Sequence, residues 1–152
     1  MILDDIANYL PRKIDREKHR RLYINKEYID SDKLKRIEDL VIKAFRKTII
    51  EILISKGYVI QKEFMKNPEN LGPDPDMLWF IIYGDNDIGV VIADSLFHTL
   101  NENDVNNYVN QFSKNIKLAG FEPIFCEFTS LESHSREYLM KRVFYAKLKY
   151  LK

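Results

Sequence analysis

The sequence has little cysteine, glycine or proline: its 152 residues include one Cys, five Gly and five Pro. The single Cys126 excludes an internal disulfide and a cysteine-based zinc site, and it is typical of a reducing, intracellular environment. No glycine-rich loop follows a predicted strand, which argues against nucleotide hydrolysis. No apolar run is long enough to span a membrane, and the charged Asp4 and Asp5 argue against a secretory signal. We therefore expect a cytoplasmic protein.

The sequence also lacks an excess of either basic or acidic residues. The 24 basic and 23 acidic side chains give a net charge of +1, which says nothing about partners. The distribution is uneven, however, since residues 12–26 and 136–152 are basic and residues 60–110 are acidic. This pattern suits a cation site between phosphate-binding surfaces, although such runs are more often ordinary solvated faces.

The chain is long enough to bury one hydrophobic core. We expect an N-terminal basic extension over residues 1–31 and one folded domain over residues 32–152. The segment 12–21 has too few apolar residues for a buried face, so it is either an exposed helix or an arm that contacts a phosphate backbone.

The centre of the domain is a predicted β-hairpin. Two apolar runs, Met77–Tyr83 and Ile88–Ala93, are joined by the turn sequence Gly84-Asp85-Asn86-Asp87. Each run is apolar throughout instead of alternating, which is typical of a central strand with both faces covered. We expect helices to pack against this sheet.

Helical spacing predicts a first helix from Asp32 to about Lys56 and a second helix after the cap residue Asn101, ended by Gly120. The first helix ends in the apolar run 49–54, which favours burial or contact with a second subunit. Strands are predicted over residues 58–64 and 123–129. A final helix is predicted from Ser130 or Ser133 to about Tyr150. Its mixed aromatic and basic residues could stack on bases and hold phosphates, but they are more typical of the core and rim of an amphipathic helix.

Two carboxylates flank the hairpin. Asp76 follows Pro75 at the entrance of the first strand, and Asp94 stands at the exit of the second. Since these ends of an antiparallel hairpin are neighbours, we expect the two acids to lie close together at one end of the sheet.

The order of elements, with Pro75-Asp76 opening the second strand and Gly72 ahead of it, resembles the core of the PD-(D/E)xK nucleases. The resemblance covers residues 32–129. It implies a restriction-endonuclease-like α/β fold with an αβββαβ core, a four-stranded mixed sheet flanked by helices, and extra helices at both termini. The second half of the motif departs from the family, because Ile92 replaces the expected acid and Asp94 replaces the lysine.

The resemblance implies a Mg²⁺ site at which metal-bound water attacks a phosphodiester. The metal ligands would be Asp76 and Asp94, with Glu51 as a third catalytic acid and Asp74 or Glu63 in support. Because like charges repel without a metal, an occupied cation site is the condition for this interpretation.

Basic residues near both ends are the candidates for nucleic-acid contact. They are Arg12, Lys13, Arg16, Arg20, Arg21, Lys141 and Arg142.

Three functions stay open at this point. The first is a divalent-metal-dependent DNA endonuclease with a variant site. The second is an inactive nuclease-like protein that associates with nucleic acid, with DNA favoured over RNA, and the loss of both motif residues favours it. The third is a non-enzymatic homodimer or partner-binding subunit.

Overall fold

The structure is a computed structural model of the chain, and it describes residues 21–59, 75–131 and 141–152. No helix within these ranges is long and apolar enough to cross a membrane.

The described elements are five strands, two α-helices and two short 3-10 helices, Lys26–Tyr28 and Ser95–Thr99. In chain order the main elements are β1 (Arg21–Ile24), α1 (Ser31–Ser55), β2 (Met77–Ile82), β3 (Asp87–Ala93), α2 (Glu102–Leu118), β4 (Phe121–Leu131) and β5 (Lys141–Tyr150).

The strands form one five-stranded mixed sheet in the order β1-β2-β3-β5-β4. β1 runs parallel to β2, and the other neighbouring strands are antiparallel. The expected mixed α/β architecture is therefore confirmed, whereas the sheet has five strands instead of four.

The hairpin prediction is confirmed. β2 and β3 pair from Met77 opposite Ala93 to Ile82 opposite Ile88. Every residue of β2 is buried, and so is every residue of β3 after Asp87. This burial explains why the two runs are apolar throughout.

Both long helices are confirmed, with a small correction to the first cap. Asp30, two residues before the predicted cap Asp32, accepts the backbone N–H of Lys33 at 2.8 Å. α2 begins with a capping box between Asn101 and Asp104, and Gly120 follows it in the left-handed conformation, with φ +97°.

The final helix was a wrong prediction, because β5 occupies residues 141–150. The residues that point to the helices are Phe144, Ala146, Leu148 and Tyr150, and they alternate with Val143, Tyr145, Lys147 and Lys149 on the other face. This period of two is that of a strand. The aromatic residues are therefore spaced for a sheet, although their mixture with lysines suggested an amphipathic helix.

The N-terminal part of the described chain also differs from expectation. Residues 21–24, which the sequence assigned to the basic extension, form the edge strand β1. The predicted strand over residues 58–64 lies mostly outside the described residues, and Tyr58 and Val59 are not in a strand.

α1 and α2 pack against each other in antiparallel orientation on one face of the sheet. Asn115 lies against Thr48, and Lys56 contacts Asp104 near the other end. The main core lies between these helices and the sheet. A second buried cluster, which includes Trp79 and Val91, lies on the opposite face of the sheet.

Candidate functional site

The hairpin brings Asp76 and Asp94 to the same end of the sheet. Met77 pairs with Ala93, so the two acids immediately flank the last pair of residues of the β2-β3 ladder. The charge on Asp76 acts on Asp94, as expected for carboxylates in proximity. The predicted juxtaposition of these two side chains is therefore present.

Each of the two carboxylates already accepts backbone hydrogen bonds from the 3-10 helix at residues 95–99. The Ser95 N–H donates to Asp76 Oδ2 at 2.9 Å, and the Leu96 N–H donates to Asp94 Oδ1 at 2.9 Å. The Asp94 carboxylate also accepts the backbone N–H of Asp76. Both acids thus hold the chain as it leaves β3.

Arg142 holds the other end of the same segment. Its Nη1 atom donates to the carbonyl oxygens of Phe97 at 3.1 Å and Leu100 at 2.7 Å. We name Asp76, Asp94 and Arg142 the turn clamp, because all three side chains bind backbone atoms of residues 95–100. Between these polar contacts, Phe97 is fully buried in the core.

The environment of Asp94 disfavours its charge. Burial raises the pKa of Asp94 above its ordinary value, and the neighbouring Asp76 raises it further. The hydrogen bonds from Leu96 and Asp76 oppose this change because they stabilise the ionised form.

The described residues supply two of the predicted ligands for Mg²⁺, Asp76 and Asp94, and no third donor beside them. Within residues 21–59, 75–131 and 141–152, no group of three or more His, Cys, Asp or Glu side chains is arranged to hold a metal. Glu51 is half-buried on α1 and belongs to no such group. Ile92, where the family has an acid, is fully buried in the core. Asp74 and Glu63 lie outside the described residues, and we derive no reaction step through a metal.

Another acid of α1, Glu38, binds side chains of the edge strand β1. Its carboxylate forms an ion pair with Arg21 Nη1 at 2.8 Å and accepts the hydroxyl of Tyr23, so it fastens β1 to α1. Glu38 is only 5% exposed. Its role is to join the edge strand to the helix layer, which the sequence alone did not indicate.

The basic residues predicted to contact nucleic acid are dispersed. Arg21 pairs with Glu38, and Arg142 belongs to the turn clamp. Nothing is described of the Lys141 side chain, although its backbone lies in β5. The remaining four lie outside the described residues. They are Arg12, Lys13, Arg16 and Arg20.

A different basic surface lies around the end of α2, where Leu118 is 69% exposed. Two grooves meet at this leucine, one between the helices and one along α2. Five lysines line them, and we name these residues the lysine surface. They are Lys43, Lys47, Lys114, Lys117 and Lys152.

No acidic side chain is present among the described residues that line these two grooves. None of the five lysines forms an ion pair with another described residue. Sequence reasoning missed this surface because its members lie in three separate segments. The available signal was the absence of acidic residues from α2 after Asp104, between Val105 and Leu118.

The lysines of β5 have different surroundings. Lys149 lies opposite Asp87 on one neighbouring strand and Glu122 on the other. Lys147 lies over the ring of Tyr83, with Nζ 5.1 Å from the ring centroid. Because acids flank Lys149 on both sides, this face attracts a polyanion less than the lysine surface does.

Comparison with known protein families, curated proteins and solved structures finds no match.

Proposed function

We propose that this chain is a non-cleaving DNA-binding domain that contacts the phosphate backbone through the lysine surface. The observation that carries the proposal is the presence of five lysines, without acids, along the described walls of two adjoining grooves. Lysines that neutralise phosphates release condensed counterions, which supplies most of the affinity in sequence-independent binding. The exposed Leu118 at the centre of the surface is compatible with contact to a sugar or base.

The acid pair supports the non-cleaving part of the proposal. Asp76 and Asp94 each accept backbone hydrogen bonds in the turn clamp, and the family's second acid is replaced by the buried Ile92. We propose that the residues which would hold a metal in an active nuclease stabilise the chain after β3 in this protein.

Kinship with the PD-(D/E)xK nucleases is part of the proposal. It is supported by the position of Pro75-Asp76 before β2 and of Asp94 after β3, at one end of a mixed sheet. Two described features lie outside the expected αβββαβ order: β1 precedes α1, and β5 pairs between β3 and β4. Any kinship would therefore be that of a divergent relative.

The test is DNA binding measured by fluorescence anisotropy from about 50 to 200 mM salt, with single-stranded and duplex probes. We expect affinity to fall steeply with salt, with a logarithmic slope of about −3 if three or four lysines contact phosphates. Lys43→Gln combined with Lys117→Gln should weaken binding and reduce the slope. The matched control is Lys149→Gln, which removes one lysine flanked by Asp87 and Glu122.

The same preparation should leave DNA uncut in Mg²⁺ or Mn²⁺. Metal-dependent cleavage that is lost in Asp76→Ala would overturn the non-cleaving part of the proposal. Absence of salt-dependent binding would overturn the DNA-binding part.

A partner-binding subunit is the second candidate, and the end of α1 favours it. Ile54 is 42% exposed, and Val59 just beyond the helix is 96% exposed. A stable homodimer by light scattering, combined with no affinity for DNA, would favour this function over the first.

A further inference from the structure

The cleft between α1 and α2 concentrates three of the five lysines. It has a volume of about 310 Å³ and is lined by Lys43 and Lys47 of α1 and by Lys152. Residues Ala44, Asn115 and Ala119 also line it, and Leu40 and Leu118 supply apolar walls. Three cations from two separate parts of the chain therefore face one space.

The position of Lys152 is fixed by the cap of α2. The Leu151 N–H donates to the Gly120 carbonyl oxygen at 2.9 Å, which ties the last residues of the chain to the end of the helix. The Lys152 side chain then passes over Gly120, where an added Cβ atom would lie 3.2 Å from Lys152 Cε. Gly120 thus supplies both the left-handed cap and the space through which Lys152 reaches the cleft.

Asn115 gives the cleft a polar group whose orientation is fixed. Its Nδ2 donates to Thr48 Oγ1 at 3.0 Å, and Thr48 Oγ1 donates to the Ala44 carbonyl at 2.7 Å. Because the Thr48 hydroxyl has used its only hydrogen, the amide of Asn115 must present its nitrogen to it. The opposite atom, Asn115 Oδ1, is buried and has no hydrogen-bond partner, in a residue that is only 3% exposed.

An unpartnered buried acceptor costs about 1–3 kcal/mol, so it indicates a donor that arrives from elsewhere. A lysine ammonium drawn inward by a bound anion is one such donor, and a ligand hydroxyl is another. The lysines and the free acceptor together suit a compact anion that draws an ammonium group toward Asn115.

We propose that this cleft binds the terminal phosphomonoester of a DNA strand, a proposal that rests on the DNA-binding function proposed above. A terminal monoester carries a charge of about −1.5 to −2 at neutral pH, whereas each internal diester carries one negative charge. Three lysines along one cleft match the monoester's higher charge and its three terminal oxygens. A liquid water occupies about 30 Å³, so the cleft has room for a phosphate and part of its sugar.

The experiment compares internally labelled single strands of one sequence that carry either a 5′-phosphate or a 5′-hydroxyl. We expect the phosphorylated strand to bind about tenfold more tightly at low salt. Lys47→Gln should bring this ratio close to one. Lys117→Gln, which changes the lysine surface outside the cleft, should weaken both strands and leave the ratio intact.

Equal affinity of the native protein for the two strands would overturn the assignment of the cleft and leave the DNA-binding function standing. If the native protein binds neither strand, both proposals are overturned. A deoxynucleoside monophosphate that competes as well as the phosphorylated strand would assign the cleft to free nucleotides instead of strand ends. Urea unfolding of each lysine variant separates a binding defect from a folding defect.

Discussion

Two charged regions of this molecule have opposite relations to the fold. The acids Glu38, Asp76 and Asp94 bind to other parts of the chain, through an ion pair or through backbone N–H groups. The lysine surface around Leu118 forms no ion pair within the described residues and lies largely exposed. The acids therefore hold the structure together, and the lysines are left available for an external partner.

This difference shows why net charge and motif position are weak guides to function here. The acids that attract attention in the sequence are those next to the hairpin, and they are engaged by the chain that follows them. The lysines that the fold collects come from α1, α2 and the last residue described, and no short motif contains them. The following variants test this contrast.

The largest effect is expected for Glu38→Ala. The substitution removes a buried carboxylate that binds both Arg21 and Tyr23 of β1. We therefore expect a loss of about 3 kcal/mol in the free energy of unfolding. The matched control is Glu51→Ala on the same helix, which should change stability by less than about 0.5 kcal/mol. Urea unfolding measures both. Equal losses in the two variants would contradict a special structural role for Glu38.

Reversing two charges of the lysine surface should weaken binding by more than it lowers stability, because the new acids join Asp39 and Glu51 in one i,i+4 row of α1. Lys43→Glu combined with Lys47→Glu is expected to weaken DNA binding about 30-fold at low salt, because two attractive contacts become repulsive. Anisotropy titration measures the affinity, and Asp76→Ala serves as the control with unchanged affinity. The contrast breaks down if Asp76→Ala weakens DNA binding more than the lysine variant does.

Asp94→Ala should lower the free energy of unfolding by about 1–2 kcal/mol. The substitution removes the acceptor for Leu96 N–H at the start of the 3-10 helix. The control is Asp85→Ala in the exposed hairpin turn, which should change the free energy of unfolding little. Adding millimolar Mg²⁺ should leave the unfolding midpoint of the native protein unchanged. An increase that disappears in Asp94→Ala would instead reveal a metal site.

The smallest and sharpest effect concerns pH. Because burial raises the pKa of folded Asp94 above its ordinary value of 3.8, ionisation of this group lowers stability as the pH rises through the interval just above 3.8. Asp94→Asn keeps the acceptor for Leu96 and removes that loss. Its stability relative to the native protein should therefore improve from about pH 4 toward pH 7.

Urea unfolding of Asp94→Asn and the native protein at each pH gives this difference directly. Asp76→Asn is the companion variant, since it removes the neighbouring charge that raises the pKa of Asp94 further. A difference between Asp94→Asn and the native protein that moves in the opposite direction would mean that the ionised carboxylate stabilises the fold.

Local signals predicted the hairpin and both helices well. The turn at residues 84–87 separates two uninterrupted apolar runs, and Asn101 begins a clear helical stripe that includes Tyr108 and Phe112. β5 was assigned to the wrong type of element because aromatic and basic residues occur in both strands and amphipathic helices. The pairing with β3 and β4 on both sides decides its conformation.

The candidate site was less predictable than the fold. The proximity of Asp76 and Asp94 follows from antiparallel pairing and was predicted from the sequence. Their hydrogen bonds to Ser95 and Leu96 depend on the path of the chain after β3, which periodicity and strand pairing do not predict. Arg142 of β5 donates a hydrogen bond to Leu100 of the same segment, although the two residues are 42 positions apart in the chain.

The sequence by itself determined the two helices, the central hairpin and the meeting of its two flanking acids, because these depend on periodicity and pairing between residues close in the chain. Only the tertiary structure decided that β1 and β5 complete the sheet, that the acids bind backbone and that lysines of distant segments share one surface. The physical reason is that a side chain's partners depend on which segments pack together, and that choice is made by burial of the whole core.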